Sequence, residues 1–299
     1  MIWRDAEREC HCRLDEPPQD QAAKLDDRDR KVLSDVETYG WHIVDIHDDS
    51  VTQGWTFSVG MWHTLGSPEL AIFGVPSPHG ANVINEIGDM VKAGRSIGPD
   101  VVFDDALAAG RLVGFRPAHS TWYGPLFGYA TWFAQQPPLP VAQVVWADPE
   151  GKFPWDEELD ADFRSLQPSL WVPVPDHPIS RWSGAGRRDW MFPAPPIATA
   201  FTTIRVVDGA PIVYVAHDTD GAWQFIDQDA WERADIQISH LAHIVDADPT
   251  LASISDLPPG WQASREHVGG SWTRSPLSPG PDDPPDPPRR RRFPWSRRS

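Results

Sequence analysis

His63 and Glu69 flank Gly66, and an imidazole held one hydrogen bond from a carboxylate can move protons near neutral pH. The pair is a candidate acid–base couple. The plainer alternative is a structural hydrogen bond at a strand end, because acid–base work also needs a pocket that surrounds it. Trp55, Ser58, Trp62, Trp146 and Trp155, with Trp122 and Trp132, could wall a flat-ring site for a nucleobase or flavin, or could equally fill a core. Cys10-His11-Cys12 offers three soft ligands, yet a closed zinc site draws on two well-separated ligand pairs and no second pair is evident. These residues read as reduced thiols, with no metal and no cofactor assigned. His240 and His243 could share a helical face but lack a third ligand at a suitable spacing. Asp218-x-Asp220-Gly221 opens like a calcium loop, but Asp229 stands where a bidentate Glu belongs, so a plain turn is expected. Phosphate-cradling loops, dinucleotide fingerprints, nucleophile elbows and His-Glu-x-x-His are all missing from the sequence, which disfavours the enzyme classes that use them.

The elements that would position these residues are legible from hydrophobic spacing. Leu25, Val32, Leu33 and Val36 predict a helix over 24–38, ended by Gly40. Alternation over 41–46 and 55–61, with Asp48-Asp49-Ser50 between, predicts a hairpin. The short apolar run 70–75 reads as a buried strand, 79–93 as an amphipathic helix, and 112–115 and 141–146 as further strands. After a proline-rich stretch, 201–207, Asp208-Gly209 and 212–217 predict a tight hairpin. Asp220-Gly221 can turn the chain again into 222–226.

Charge narrows the partners. The chain carries 43 acidic and 26 basic side chains, for a net charge of -17, while the basic residues of 275–299 are gathered in Arg289–Arg298. An acidic body repels phosphate backbones and anionic lipid surfaces, so a basic protein surface is the expected partner, with no membrane and at most weak nucleic-acid contact through the Arg-rich tail. Two cysteines one residue apart build no disulfide framework, and no signal-like segment or membrane-length apolar run occurs. A cytoplasmic location is expected.

The block Phe57-Ser58-Val59-Gly60 and Gly66-Ser67-Pro68-Glu69-Leu70, followed by Phe73-Gly74-Val75, resembles the bacterial family catalogued as domain of unknown function 4262. Gln143-Val144-Val145-Trp146-Ala147-Asp148 and Gly151-Lys152-Phe153-Pro154-Trp155 are similar to the end of the same domain. The resemblance spans about residues 40–170 and implies a fold without an activity. Ser58 and Ser67 depart from the family's Thr and His, so chemistry that needs a histidine at 67 does not carry over. Pro211-Ile212-Val213-Tyr214 and Asp220-Gly221-Ala222-Trp223-Gln224-Phe225 show a weaker similarity to a small β-rich family of bacterial immunity proteins.

Together these features predict an α+β chain of two small mixed domains with antiparallel sheets and disordered arms. The expected divisions are a loose arm (1–24), an N-terminal α+β domain (25–172), a Pro-rich linker (173–196), a β-rich domain (197–266) and a Pro/Arg-rich tail (267–299). The first functional expectation is a non-enzymatic protein-binding module, of the toxin-neutralising immunity type. The alternative is a ligand-binding or enzymatic domain with an aromatic pocket of the nucleotide or flavin class, lying between 54–70 and 143–155.

Overall fold

The computed structural model describes residues 10–15, 25, 27–46, 54–76, 78–107, 110–135, 139–178, 182, 190–219, 221–227 and 236–277. Val32, Leu33 and Val36 line the buried face of the helix Asp27–Tyr39 (α1), whose first turn carries Asp27 and Asp29 where the helix dipole favours negative charge. The chain then enters His42–Ile46 (β1), which pairs antiparallel with Trp55–Val59 (β2) as the alternation predicts. The turn residues Asp48-Asp49-Ser50 lie outside the described residues. A one-and-a-half-turn helix, Met61–Leu65 (α2), leads into Glu69–Phe73 (β3), which returns antiparallel to β2.

Beyond β3 come the helix His79–Lys92 (α3), the strands Val102–Phe103 (β4) and Val113–Pro117 (β5), and the short helices Tyr123–Leu126 (α4) and Gly128–Ala134 (α5). The next strand, Val141–Trp146 (β6), inserts between β3 and β5 to give the order β1-β2-β3-β6-β5-β4. Leu70 sits opposite Ala142 and Ile72 opposite Val144 in the parallel β3–β6 pair. The two family-like segments are therefore joined by backbone pairing, and the sheet is mixed where an antiparallel one was expected. Helices cover both faces, so β2, β3 and β6 are buried along their whole length, and the polar Thr56, Ser58 and Gln143 are buried with them. Leu70 and Ile72 pack with Val83, Ile84 and Ile87 of α3, while Ala71 and Phe73 belong to the opposite cluster with Trp122, Phe127 and Trp182.

The described residues of two segments expected to be loose include side chains docked on this core. Within the arm 1–24, Cys12 is buried, the Arg13 side chain donates from Nε to the Trp132 carbonyl at 2.9 Å, and its guanidinium lies 4.6 Å from the Trp132 ring centre. Within 173–196, Val174 and Trp182 are buried in the same cluster as Phe73. Apolar surface explains both, since a tryptophan left in water forfeits about 25 cal/mol for each Å² it could bury.

After the helix Ala161–Arg164 (α6), the second sheet begins at Thr199–Thr203 (β7). Here the expected Asp208-Gly209 hairpin gives way to a helical turn. Thr203 Oγ1 accepts from the Val206 amide to cap Ile204–Val207 (α7), Arg205 pairs with Asp227 at 2.5 Å, and Gly209, at φ 98°, ends the turn. β7 instead lies between Trp223–Ile226 (β9), to which it is parallel, and Ile236–His240 (β10). The hairpin forms one turn later, where Tyr214–His217 (β8) pairs with β9 across Asp218 and Gly221. Asp220 and Asp229 of the calcium-like motif lie outside the described residues, and Asp218 accepts from Gln224 Nε2 at 2.6 Å. The helix Leu241–Ala247 (α8) packs on this sheet, which continues past Glu266 through Trp261–Ser264 (β11) to Thr273–Pro276 (β12). Its order is β10-β7-β9-β8-β11-β12. Residues 278–299, with the Arg289–Arg298 run, lie outside the described residues. Among the described residues no helix is long and apolar enough to cross a membrane.

Gly60 joins β2 to α2 at φ 105°, and a Cβ there would stand 2.7 Å from both γ carbons of Val36 on α1. Gly60→Ala is expected to destabilise the fold by about 2–5 kcal/mol, from backbone strain plus overpacking. A urea midpoint unchanged from the parent chain would show that α1 does not seat firmly on β2.

Candidate functional site

The junction of β2, α2 and β3 is built around a buried carboxylate. Glu69 is 2% exposed. Its Oε2 accepts from Ser58 Oγ at 2.6 Å and from the Met61 amide at 3.2 Å, and its Oε1 accepts from the Gly60 and Trp62 amides at 2.9 and 3.0 Å. Ser58 Oγ in turn accepts from the Leu70 amide at 2.9 Å. A helix of five residues exposes mostly orphan amides at its start, and the carboxylate satisfies them where the helix dipole favours negative charge. Burial pushes the Glu69 carboxyl above its usual range, while the Ser58 hydroxyl and the three amides pull it back. The acid–base couple with His63 does not form, because the carboxylate is spent on organising α2.

His63 looks the other way, toward the N-terminal segment. Its Nδ1 lies 3.2 Å from Cys12 Sγ and 3.6 Å from Cys10 Sγ. The segment's 3-10 turn Arg13–Asp15, closed by the Asp15 amide on the Cys12 carbonyl at 3.0 Å, carries Asp15 Oδ2 to 3.6 Å from Cys12 Sγ. One ligand atom from each of Cys10, Cys12, Asp15 and His63 lies within 4.8 Å of all the others. Phe133 sets its ring edge-on to His63, at 6.2 Å between centres and 88°. Burial pushes the Cys12 thiol up to about 12, with Cys10 adding to the rise and the Leu14 backbone opposing it. Sequence reasoning found half of this cluster and missed His63, which lies 51 residues beyond Cys12 and becomes a neighbour only through the docking of the arm.

The tryptophans proposed as a pocket are dispersed. Trp55 stacks on Phe73 at 5.7 Å within one core, and Trp62 is buried on the inner side of α2. Trp146 donates from Nε1 to the Phe73 carbonyl at 2.8 Å, and Trp155 stacks on Phe153 at 4.5 Å under the Arg116 guanidinium. Ser58 is fully buried on Glu69. Packing and hydrogen bonding therefore occupy these side chains.

A cavity of about 1110 Å³ lies elsewhere, between the two sheets. Val44, Asp45 and Ile46 of β1 form part of its wall, and Gln237, Ile238 and His240 of β10 another part. Among the described residues, β1 and β10 are the terminal strands of their sheets. Trp55 meets His240 across the junction at 5.4 Å, and Thr199 Oγ1 donates to the Pro125 carbonyl at 3.4 Å. His240 and His243 stack with ring centres 6.3 Å apart and both line the cavity, but the ligand cluster described above does not include them.

Glu69→Gln keeps the shape of the side chain but turns an NH₂ group toward amide donors. We expect a loss of about 1–3 kcal/mol in chemical denaturation, with Ser58→Ala losing less because the three amide contacts survive. Equal stability of Glu69→Gln and the parent chain would show that the carboxylate charge contributes nothing to the junction.

Neither a curated protein sequence nor a solved structure matches the chain. The Glu69 junction and the β3–β6 pair both fall within residues 35–160, which match the model of the family described as Domain of unknown function (DUF4262).

Proposed function

We propose that the chain is a non-enzymatic binding module that takes an extended segment of a partner protein into the cleft between its sheets. The observation that carries this reading is that β1 and β10, terminal strands of different sheets among the described residues, border one cavity. A terminal strand offers backbone groups to an added strand, and flanking side-chain pockets supply selectivity. Val44, Ile46 and Ile238 provide apolar contact. With a net charge of -17 the chain favours a basic segment and gathers it by long-range attraction. The commitment of Glu69 to four donors supports binding over acid–base catalysis. Neutralisation of a toxin in the bacterial cytoplasm is the form of this reading suggested by the likeness of 211–225 to immunity proteins.

A second reading is favoured by the cavity's size, which suits a small molecule of the nucleotide or flavin class. In that case Tyr129 and His240, which line the cavity, would stack on its ring in place of the tryptophans.

A photo-crosslinking amino acid installed at Ile238 in the native host separates the two. The partner-protein reading expects one protein adduct from position 238, lost when Val44→Lys is added, and none of that adduct from Val102, an exposed residue of β4. A small-molecule adduct at 238, or the same proteins captured from 238 and 102, would sink it.

A further inference from the structure

We propose that Cys10, Cys12, Asp15 and His63 form a zinc site that fastens the N-terminal segment to α2. The donor set is the first argument. Two thiolates, an imidazole and a carboxylate are all ordinary zinc ligands, whereas calcium and magnesium call for oxygen alone.

Distances are the second. Zinc–sulfur bonds of about 2.3 Å and zinc–nitrogen bonds of about 2.0 Å in a tetrahedron place neighbouring ligand atoms roughly 3.5–3.8 Å apart. The contacts from Cys10 Sγ to His63 Nδ1, 3.6 Å, and from Cys12 Sγ to Asp15 Oδ2, 3.6 Å, have that length, and Cys12 Sγ to His63 Nδ1, 3.2 Å, needs only a small opening. All four ligand atoms fit within 4.8 Å of one another.

Rigidity is the third. His63 belongs to a helix pinned at its start by Glu69 and ended at Gly66 by that residue's amide on the Trp62 carbonyl. Arg13, between the ligands, is held on Trp132, and Phe133 braces the His63 ring. Ligands fixed in this way lose little freedom on binding. An entry path is also present, since Asp15 and His63 line an open cleft of about 720 Å³ together with Tyr39 and Lys92. The three ligands of the arm precede residues 35–160, so the metal would tie a segment outside the family-matched stretch to a histidine inside it.

The test uses the full chain, purified anaerobically without chelators from zinc-supplemented cells. Elemental analysis is expected to find a single zinc per chain, and replacement by cobalt(II) to give thiolate-to-metal charge transfer with the visible bands of a tetrahedral centre. His63→Gln and Cys12→Ser should each lower bound zinc to less than about a tenth of the parent value, and His11→Ala should leave it unchanged. A parent chain that is folded by circular dichroism yet takes up neither zinc nor cobalt overturns the proposal, and so does full zinc retention by a folded His63→Gln. Loss of metal in His11→Ala but not in His63→Gln overturns it as well. Should Cys12→Ser fail to fold, the parent chain and the half-buried His63 position still decide the outcome.

Discussion

A single buried charge fixes the geometry on which much of the N-terminal unit depends. Glu69 begins the central strand β3, yet its carboxylate closes the loop between β2 and α2 by accepting from one hydroxyl and three amides. Desolvating a carboxylate is costly unless donors replace the water, and here four donors do so. The loop would otherwise bury several orphan amides, so charge and loop stabilise each other. The direction of α2, and with it the direction of His63, follows from this contact.

The same principle recurs wherever the fold lacks a strand or helix to complete its hydrogen bonds. Gln143 on β6 donates to the Pro168 carbonyl and accepts from the Leu170 amide, and Gln167 meets both backbone groups of Trp146. Two buried amide side chains thus hold an irregular segment against β6. In the second sheet Arg265 donates to the Ile212 carbonyl, to Thr250 and to Asp248 while lying 4.3 Å from the Trp272 ring centre. Such groups are tolerated inside because each finds partners in fixed places.

How much of this was legible in the sequence depended on the range of the interaction. Helix α1, the β1–β2 hairpin and α3 were readable because their periodicity is local and their buried faces are contiguous. The strands β3 and β6 were found as apolar runs, while their parallel pairing came from outside any local pattern. The Asp208-Gly209 hairpin was misread because the same dipeptide that suits a tight β-turn also ends a helix, and the Thr203 cap and Arg205–Asp227 pair decided for the helix. The Cys10-His11-Cys12 motif was visible, but His63 could not be attached to it without knowing that Cys12 is drawn into the core by its apolar surroundings. A tryptophan count, likewise, says nothing about whether the rings wall a pocket or fill an interior, and here Trp55 and Trp146 fall in clusters on opposite faces of one sheet.

The parallel contact between β3 and β6 also sets a timetable for synthesis. Glu69 pairs with Val141, so about seventy further residues must be added before β3 can acquire its second neighbour. At roughly 5–20 residues per second, β3 waits on the order of 4–14 s at the ribosome with one edge unclaimed. During that interval an apolar strand is open to adventitious pairing. The emerging chain is therefore most exposed to aggregation in the middle of its own translation, when a holding chaperone would have the most to protect.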